Sequence, residues 1–500
     1  MAWAETSKEA LQARFVGKSL HDVGTPAVVL DLAILEDNCN LMLEAVEKLG
    51  LGWRAHIKTH KTTELTRLQV GDKSTSPANI MVSTVLEAEN IAPLLREYRD
   101  AGRKVNVLYA FPLLGSYVDR LSRVAAQLGP GGLSVLVDHA DQLQHIPILA
   151  SKSGNRPQVF LKIDMGYHRA GVPPDAPECA HLVEALLGLE AAGSCDFLGL
   201  YCHAGHSYST RRPWEALGLL EEELAQLQRV ARVVKAARLS SSSPTAARPL
   251  VLSVGATPTA TTIQHPDFQS SSSSAEGGKA DVPVPVPVPD TLKALVRDLR
   301  ADDGLALEVH AGVYPTLDLQ QLATHSRDAA RHLTADAIAI SVVAEIASVY
   351  GASLGRHGEE AQGAEEALIN AGTLALGREP VGQGEYAGWG VVTPWNGSGS
   401  AAPGPAFPAP ASGKSGAAAA AAGCWQVGKI SQEHGILRWW AGGDRGEAPP
   451  SPLRVGQRVR IWPNHACVTG TGYGWYLVVD SRNKGREDEV VDVWPRWRGW

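Results

Sequence analysis

Cysteine is scarce in this chain and widely spread. The six residues Cys39, Cys179, Cys195, Cys202, Cys424 and Cys467 stand in 500 without a CxxC pair. That spacing excludes a disulfide framework and predicts reduced thiols in an intracellular compartment. No run of 18 apolar residues occurs, so a transmembrane helix is not expected and no membrane partner is predicted. The first residues, MAWAETSKEALQARF, lack the apolar core of a signal peptide, which makes a cytoplasmic location the expectation. Basic excess is missing too. A formal net charge of -7 argues against a nucleic-acid-binding surface.

What is present is enough for a large core. Hydrophobic residues make up 44% and charged residues 20%, ordinary values for a globular chain. Over the first two thirds, apolar β-rich runs alternate with helical patterns. The runs are Ala27–Leu30, Trp53–Ile57, Ile80–Ser83, Val105–Tyr109, Leu133–Val137, Val159–Ile163, Phe197–Tyr201, Leu250–Val254 and Leu305–Val309. Helical spacing is clear over Leu32–Leu49, Tyr117–Leu128 and Pro213–Ala237, the last with acids early and bases late. Repeated βα units predict a parallel sheet, here a (β/α)8 TIM-type barrel. Nine runs are one more than eight strands need, so the first is assigned to another layer or domain.

Past about residue 335 the texture changes. Ten of the thirteen tryptophans follow Gly388, and short β-like runs (Ile338–Ile346, Gly390–Val392, Arg458–Trp462, Tyr476–Val479 and Glu489–Val493) are broken by Gly and Pro. This predicts a second, mostly antiparallel β domain. The expected division is an N-terminal segment, 1–25, packing on the β domain; an α/β barrel, 26–330; and the β domain, 331–500. Segments near 240–247, 269–290 and 396–423 are rich in Ser, Pro, Gly or Ala and read as insertions without a catalytic part.

Five clusters could carry chemistry. Arg54-Ala-His-Ile-Lys-Thr-His-Lys61 crowds five basic or potentially basic side chains at the end of a strand. Lys58 is then at the barrel mouth, where such enzymes keep their chemistry. A lysine among cations can have a lowered pKa, and a Schiff base with pyridoxal phosphate is the obvious use. A solvated basic loop fits the same residues. Leu161–Gly171 places Lys162, Asp164 and Arg169 at another strand end, where buried charges need partners; a structural ion-pair network explains it equally. Gly199–Tyr208 adds Tyr201, His203, His206 and Tyr208, which satisfied core side chains would also explain. Ser253-Val-Gly-Ala-Thr-Pro-Thr259 could cradle a phosphate with backbone N–H groups and hydroxyls, or be an ordinary strand-to-helix turn. After the next strand, Glu308-Val-His-Ala-Gly-Val-Tyr314 offers a glycine for close approach of a ligand.

The fifth cluster is Pro463-Asn-His-Ala-Cys-Val-Thr469. If this is a strand, His465 and Cys467 share one face and could be two ligands of one metal. Imidazole plus thiolate favours Zn2+ over Mg2+ or Mn2+. For an isolated HxC, a half-buried His beside a free core Cys is the commoner outcome.

Together these clusters, with Ser431-Gln-Glu-His-Gly435, resemble the eukaryotic-type D-serine dehydratases, relatives of D-threonine aldolases. The resemblance covers nearly all of the chain outside the three insertions. It implies an alanine-racemase-like fold (pyridoxal-phosphate fold type III), pyridoxal 5'-phosphate and Zn2+ as cofactors, a small D-amino acid substrate and a homodimer. The implied reaction is β-elimination of D-serine to pyruvate and ammonia. By position, Lys58 is the Schiff-base lysine. Tyr201, Tyr208, Thr257, Gly312 and Val313 match cofactor-contacting positions, and His465 and Cys467 the zinc ligands. Val313 stands where the family usually has Asn, so a side-chain contact is lost. Thr316 and Leu317 replace the usual Phe and Tyr. A D-threonine or D-3-hydroxyaspartate aldolase is the alternative in the same class; aldolases typically carry Asp where Cys467 stands. A non-catalytic pyridoxal-phosphate-binding protein is the alternative of another class.

Overall fold

The computed structural model describes residues 6–240, 248–269, 286–327, 333–351, 366–382, 386, 388–395, 403–405, 423–440 and 451–500. Most of the three expected insertions, including the alanine run 417–422, lies outside the described residues. Two compact units form: one from Met1–Cys39 and Val313–Arg498, the other from Asn40–Gly312 with Gly499–Trp500.

Strand β1 (Ala27–Asp31) belongs to the first unit, paired antiparallel with β10 (Ile340–Tyr350) and parallel with β16 (Trp475–Val479). The expected barrel bounds of 26–330 are therefore too wide at both ends. The barrel unit runs from Asn40 to Gly312, because β1 finds its hydrogen bonds in the other sheet.

The second unit is a closed parallel barrel of eight strands. They are β2 (Gly52–His56), β3 (Ala78–Val82), β4 (Val105–Pro112), β5 (Leu133–Val137), β6 (Gln158–Lys162), β7 (Asp196–Tyr201), β8 (Leu250–Val254) and β9 (Leu305–Ala311). Closure is made by β2 on β9, with Ala55 opposite Ala311. The strands read as apolar runs because helices cover the sheet's outer face; all five residues of β5 are buried. The helix Pro213–Ser240 begins with Pro, carries Glu215 in its first turn and Arg238 in its last, and so suits its own dipole. It runs three residues beyond the expected end. The helix Thr63–Val70 starts at Thr62, whose hydroxyl caps Leu65 N–H. Inside the barrel, Met81, Leu108, Leu136, Phe160 and Tyr201 form an apolar cluster.

The first unit is a nine-stranded, mostly antiparallel sheet in the order β11-β14-β13-β12-β15-β10-β1-β16-β17. Its remaining strands are β11 (Glu366–Ile369), β12 (Gly390–Pro394), β13 (Cys424–Ile430), β14 (Gly435–Trp440), β15 (Arg458–Pro463) and β17 (Asp492–Pro495). Three of these, β11, β13 and β14, are not anticipated from sequence. The Ser431–Gly435 motif is the turn joining β13 to β14, with Ser431 N–H donating to the His434 carbonyl at 2.8 Å. Leu11, Phe15, Leu20 and Val23 pack in one core with Val29, Val343, Leu477 and Val493. Among the described residues, no helix is long and apolar enough to cross a membrane.

Candidate active site

The carboxyl ends of the barrel strands gather the first four clusters. Lys58 lies two residues past β2, and its backbone N–H reaches His56 Nδ1 at 3.4 Å. The charge of Lys58 is felt by three imidazoles: His56, His203 and His310. All three are held well below the ordinary histidine pKa. Burial is the main cause, reinforced by Lys58 at His56 and His203, and by Arg54 and Lys162 at His310. All three rings are therefore neutral at pH 7. Among the described residues no carboxylate forms an ion pair with it.

The rest of the basic octapeptide has other duties. Arg54 points into the barrel, 2% exposed, and grips Glu308 with Nε and Nη2 at 2.7 and 3.1 Å. Its Nη1 donates to Asn106 Oδ1 at 2.7 Å. His60 is buried against Gln69 and Thr62. Lys61 pairs with buried Glu87 at 3.0 Å.

The Arg54–Glu308 pair extends to His310. Ser253 Oγ donates to Glu308 Oε1 at 2.8 Å and sits 3.1 Å from His310 Nδ1. Since the serine proton goes to the carboxylate, Nδ1 is the protonated ring nitrogen and donates to Ser253. Nε2 is then an acceptor, and among the described residues it is buried without a hydrogen-bond partner. The ring stacks on Tyr201, centroids 4.5 Å apart. On the β7 loop, His203 Nδ1 donates to the Gly255 carbonyl at 2.7 Å.

Thr257 and Gly312 come together: Gly312 N–H approaches Thr257 Oγ1 at 3.4 Å. A side chain at Gly312 would press on His56, because its first carbon would stand 3.2 Å from the His56 Cβ. Gly255 has φ +138° and passes so close to the His310 carbonyl that no other residue fits. Tyr208 is half-buried in the turn Gly205–Ser209, its carbonyl accepting from Arg211 Nη1 at 3.2 Å.

The second cluster resolves differently from an ion-pair network. Asp164 turns to its own loop, accepting from Gly166 N–H, His168 N–H and His168 Nδ1. Lys162 is buried with its ammonium 4.9 Å over the Tyr201 ring, and among the described residues it has no carboxylate ion pair. Burial, then repulsion from Arg169, lowers its pKa to about 8.

His465, Cys467 and Val313 belong to the other unit. The expected strand at His465–Cys467 is absent: β15 ends at Pro463, and His465 caps the short helix Ala466–Thr471. The His465 imidazole and the Cys467 thiol interact as a side-chain hydrogen bond. Burial alone would lower the His465 pKa; that bond, the thiol charge, Asp318 and Glu379 together raise it to about 9. Asp318 is buried and fixes the segment, accepting from Ala466 N–H and Gln321 N–H, both at 2.8 Å. Cys467 is half-buried, whereas the other five cysteines are buried. Val313 is buried, and its carbonyl heads a turn, accepting from Thr316 and Leu317 N–H at 3.1 and 2.9 Å. Sequence reasoning missed His310 and Glu223, neither of which carries a spacing signal.

Two family matches divide the chain in the same way. Residues 30–270 match the family described as "Alanine racemase, N-terminal domain", and residues 339–479 the one described as "Putative serine dehydratase domain". D-serine dehydratase of Schizosaccharomyces pombe is 32% identical, covering 100% of this chain and 97% of its own. That of Saccharomyces cerevisiae is 29% identical over 98% and 99%. Among solved structures, D-threo-3-hydroxyaspartate dehydratase from Delftia sp. HT23 superposes with a TM-score of 0.64 at 25% identity, covering 97% of this chain and 100% of that one. D-threonine aldolase from Filomicrobium marinum shares the fold, with a TM-score of 0.60 at 19% identity over 96% and 97%. With a barrel of alanine-racemase type, a β unit of serine-dehydratase type and a match that runs end to end, the chain belongs to the D-serine dehydratase family.

Proposed function

We propose that this protein is a pyridoxal-phosphate-dependent lyase that converts D-serine to pyruvate and ammonia with the help of zinc. The observation that carries this reading is the end-to-end match to D-serine dehydratases, through the segments holding both Lys58 and the His465–Cys467 pair.

The residues present fit both groups. Lys58 has no carboxylate ion pair among the described residues, so its amine is available to hold the cofactor. His310 Nε2 is a buried acceptor with no hydrogen-bond partner among the described residues, an atom that a ring N–H would satisfy. Thr257 and Gly312 would serve the phosphate side, and Tyr201 and Tyr208 the ring side. For zinc, the His465 imidazole and the Cys467 thiol are a borderline-soft donor pair suited to that ion, and His465 Nδ1 is buried with no hydrogen-bond partner among the described residues. Two protein donors leave positions open for substrate, as catalytic metal sites do.

Bound pyridoxal phosphate would supply the electron sink for the charge left at Cα, and zinc a Lewis acid for the departing β-hydroxyl. The chain's own residues do the rest. Lys58 would hold the cofactor, and its amine is the group that would take the α-proton. Arg54, Glu308 and Ser253 hold His310 in one tautomer. Asp318 keeps His465 and Cys467 in register through the Ala466 N–H.

A homodimer is the assembly the family resemblance suggests, and light scattering tests it. Six cysteines, none of them in a disulfide, suit a cytoplasmic, reducing setting. D-Threonine separates the dehydratase from an aldolase. We expect 2-oxobutanoate; glycine with acetaldehyde would overturn the assignment.

A further inference from the structure

Glu223 is a charged side chain that the reaction above does not use. It sits on the helix Pro213–Ser240 and is fully buried. Among the described residues, no Lys or Arg forms an ion pair with it. Its partners are instead donors on two different loops. Oε1 accepts from Ala204 N–H at 3.0 Å, from Gly255 N–H at 3.1 Å and from Cys202 Sγ at 3.7 Å. Oε2 accepts from Thr259 Oγ1 at 2.8 Å.

Ala204 follows His203 on the β7 loop, and Gly255 opens the β8 loop two residues before Thr257. The Gly255 peptide is therefore held at both ends: its N–H by Glu223, its carbonyl by His203 Nδ1 at 2.7 Å. Thr259 closes the circuit, since its Oγ1 also accepts from Ala256 N–H at 3.0 Å. Burial pushes Glu223 up to about 7 even though every one of these bonds pulls the other way. A carboxylate in so unfavourable a place, spent wholly on two strand-end loops, has a task that a hydrophobic residue could not perform.

We propose that Glu223 is a positioning residue that ties the His203–Tyr208 loop to the Gly255–Thr257 turn, and thereby sets the affinity for pyridoxal phosphate. This inference rests on the cofactor reading above. It concerns a residue acting through its neighbours, not one touching the reacting atoms.

The test uses the full-length apoprotein with E223L and E223Q. Pyridoxal phosphate is titrated by absorbance, and amide hydrogen exchange is followed in peptides spanning 202–209 and 254–260. Leucine leaves two buried N–H groups unpaired, so affinity should fall at least about tenfold and exchange should rise in those two peptides alone. Glutamine keeps the Oε1 acceptor, so E223Q should remain within about threefold of the parent chain. Affinity of E223L within twofold of the parent, with unchanged exchange, would overturn the proposal. So would an E223Q as weak as E223L. If E223L does not fold, T259V is read in the other loop: it removes a donor to Glu223, so faster exchange in 202–209, which Glu223 holds through Ala204 N–H, supports the tie, and unchanged exchange there refutes it. A parent chain that binds no pyridoxal phosphate sinks the cofactor reading instead, while the exchange data still decide whether Glu223 holds the two loops.

Discussion

The imidazole of His310 lies face to face with the phenol of Tyr201, centroids 4.5 Å apart and planes 8° from parallel. Its far side is fixed by Ser253, which passes the constraint on to Glu308 and Arg54. Ser253→Ala removes the bridge and leaves a buried ring N–H and a carboxylate oxygen each one bond short. The expected cost is about 1–3 kcal/mol, read from urea unfolding of the apoprotein. An unchanged midpoint would mean that the bridge contributes nothing.

Arg54 and Glu308 are the buried charge pair at the root of this chain, 2% and 5% exposed at the side chain. Arg54→Met strands Glu308 without its guanidinium. A loss of about 3–5 kcal/mol is expected, larger than for Ser253→Ala, because an unpaired buried charge costs more than an unpaired dipole. Equal losses in the two variants would contradict that ranking.

Lys162 is buried, with no ion pair among the described residues, and its pKa falls to about 8 through burial and then Arg169. A lowered folded-state pKa means that the unfolded chain binds the extra proton between about pH 8 and the ordinary lysine value of 10.5. Stability therefore rises with pH across that window, and the full penalty applies below it. Lys162→Met should stabilise the apoprotein at pH 7, by up to about 3 kcal/mol, and the advantage should shrink by pH 10. Thermal melts at both values check this; a Met variant less stable at pH 7 would show that Lys162 is favourably paired.

Lys58→Ala should lower dehydration at least about 10²-fold and abolish covalent retention of pyridoxal phosphate. Borohydride treatment followed by peptide mass analysis locates the label. Label on Lys61 or Lys162 instead would move the assignment to that lysine.

Cys467→Ala should lose bound zinc, measured by elemental analysis, and pyruvate formation with it, while cofactor absorbance remains. Full activity in zinc-stripped Cys467→Ala protein would remove the metal from the reaction.

Much of this architecture is legible in the chain because its signals are local. Parallel strands buried on both faces read as apolar runs, so every barrel strand from Gly52–His56 to Leu305–Ala311 is visible from residue type alone. Strand β1 is equally visible, but its sheet is not: pairing with β10 and β16 depends on residues more than 300 positions away. The missed strands Glu366–Ile369, Cys424–Ile430 and Gly435–Trp440 are interleaved with Gly, polar side chains and charges that mask alternation. In the site, Lys58 announces itself through its basic neighbours. Glu223 does not, because a glutamate in a long amphipathic helix looks like any solvated one until the fold buries it. The strand expected to put His465 and Cys467 on one face is a helix start instead, held by Asn464 and Asp318, which bond to backbone groups far along the chain.

The reaction itself is best tested by following pyruvate from D-serine with the purified protein, before and after chelator and again after zinc is returned. The expected result is steady pyruvate formation, lost with chelator and restored by zinc. No pyruvate from the pyridoxal-phosphate-loaded protein, or a rate indifferent to chelator and zinc, would contradict it.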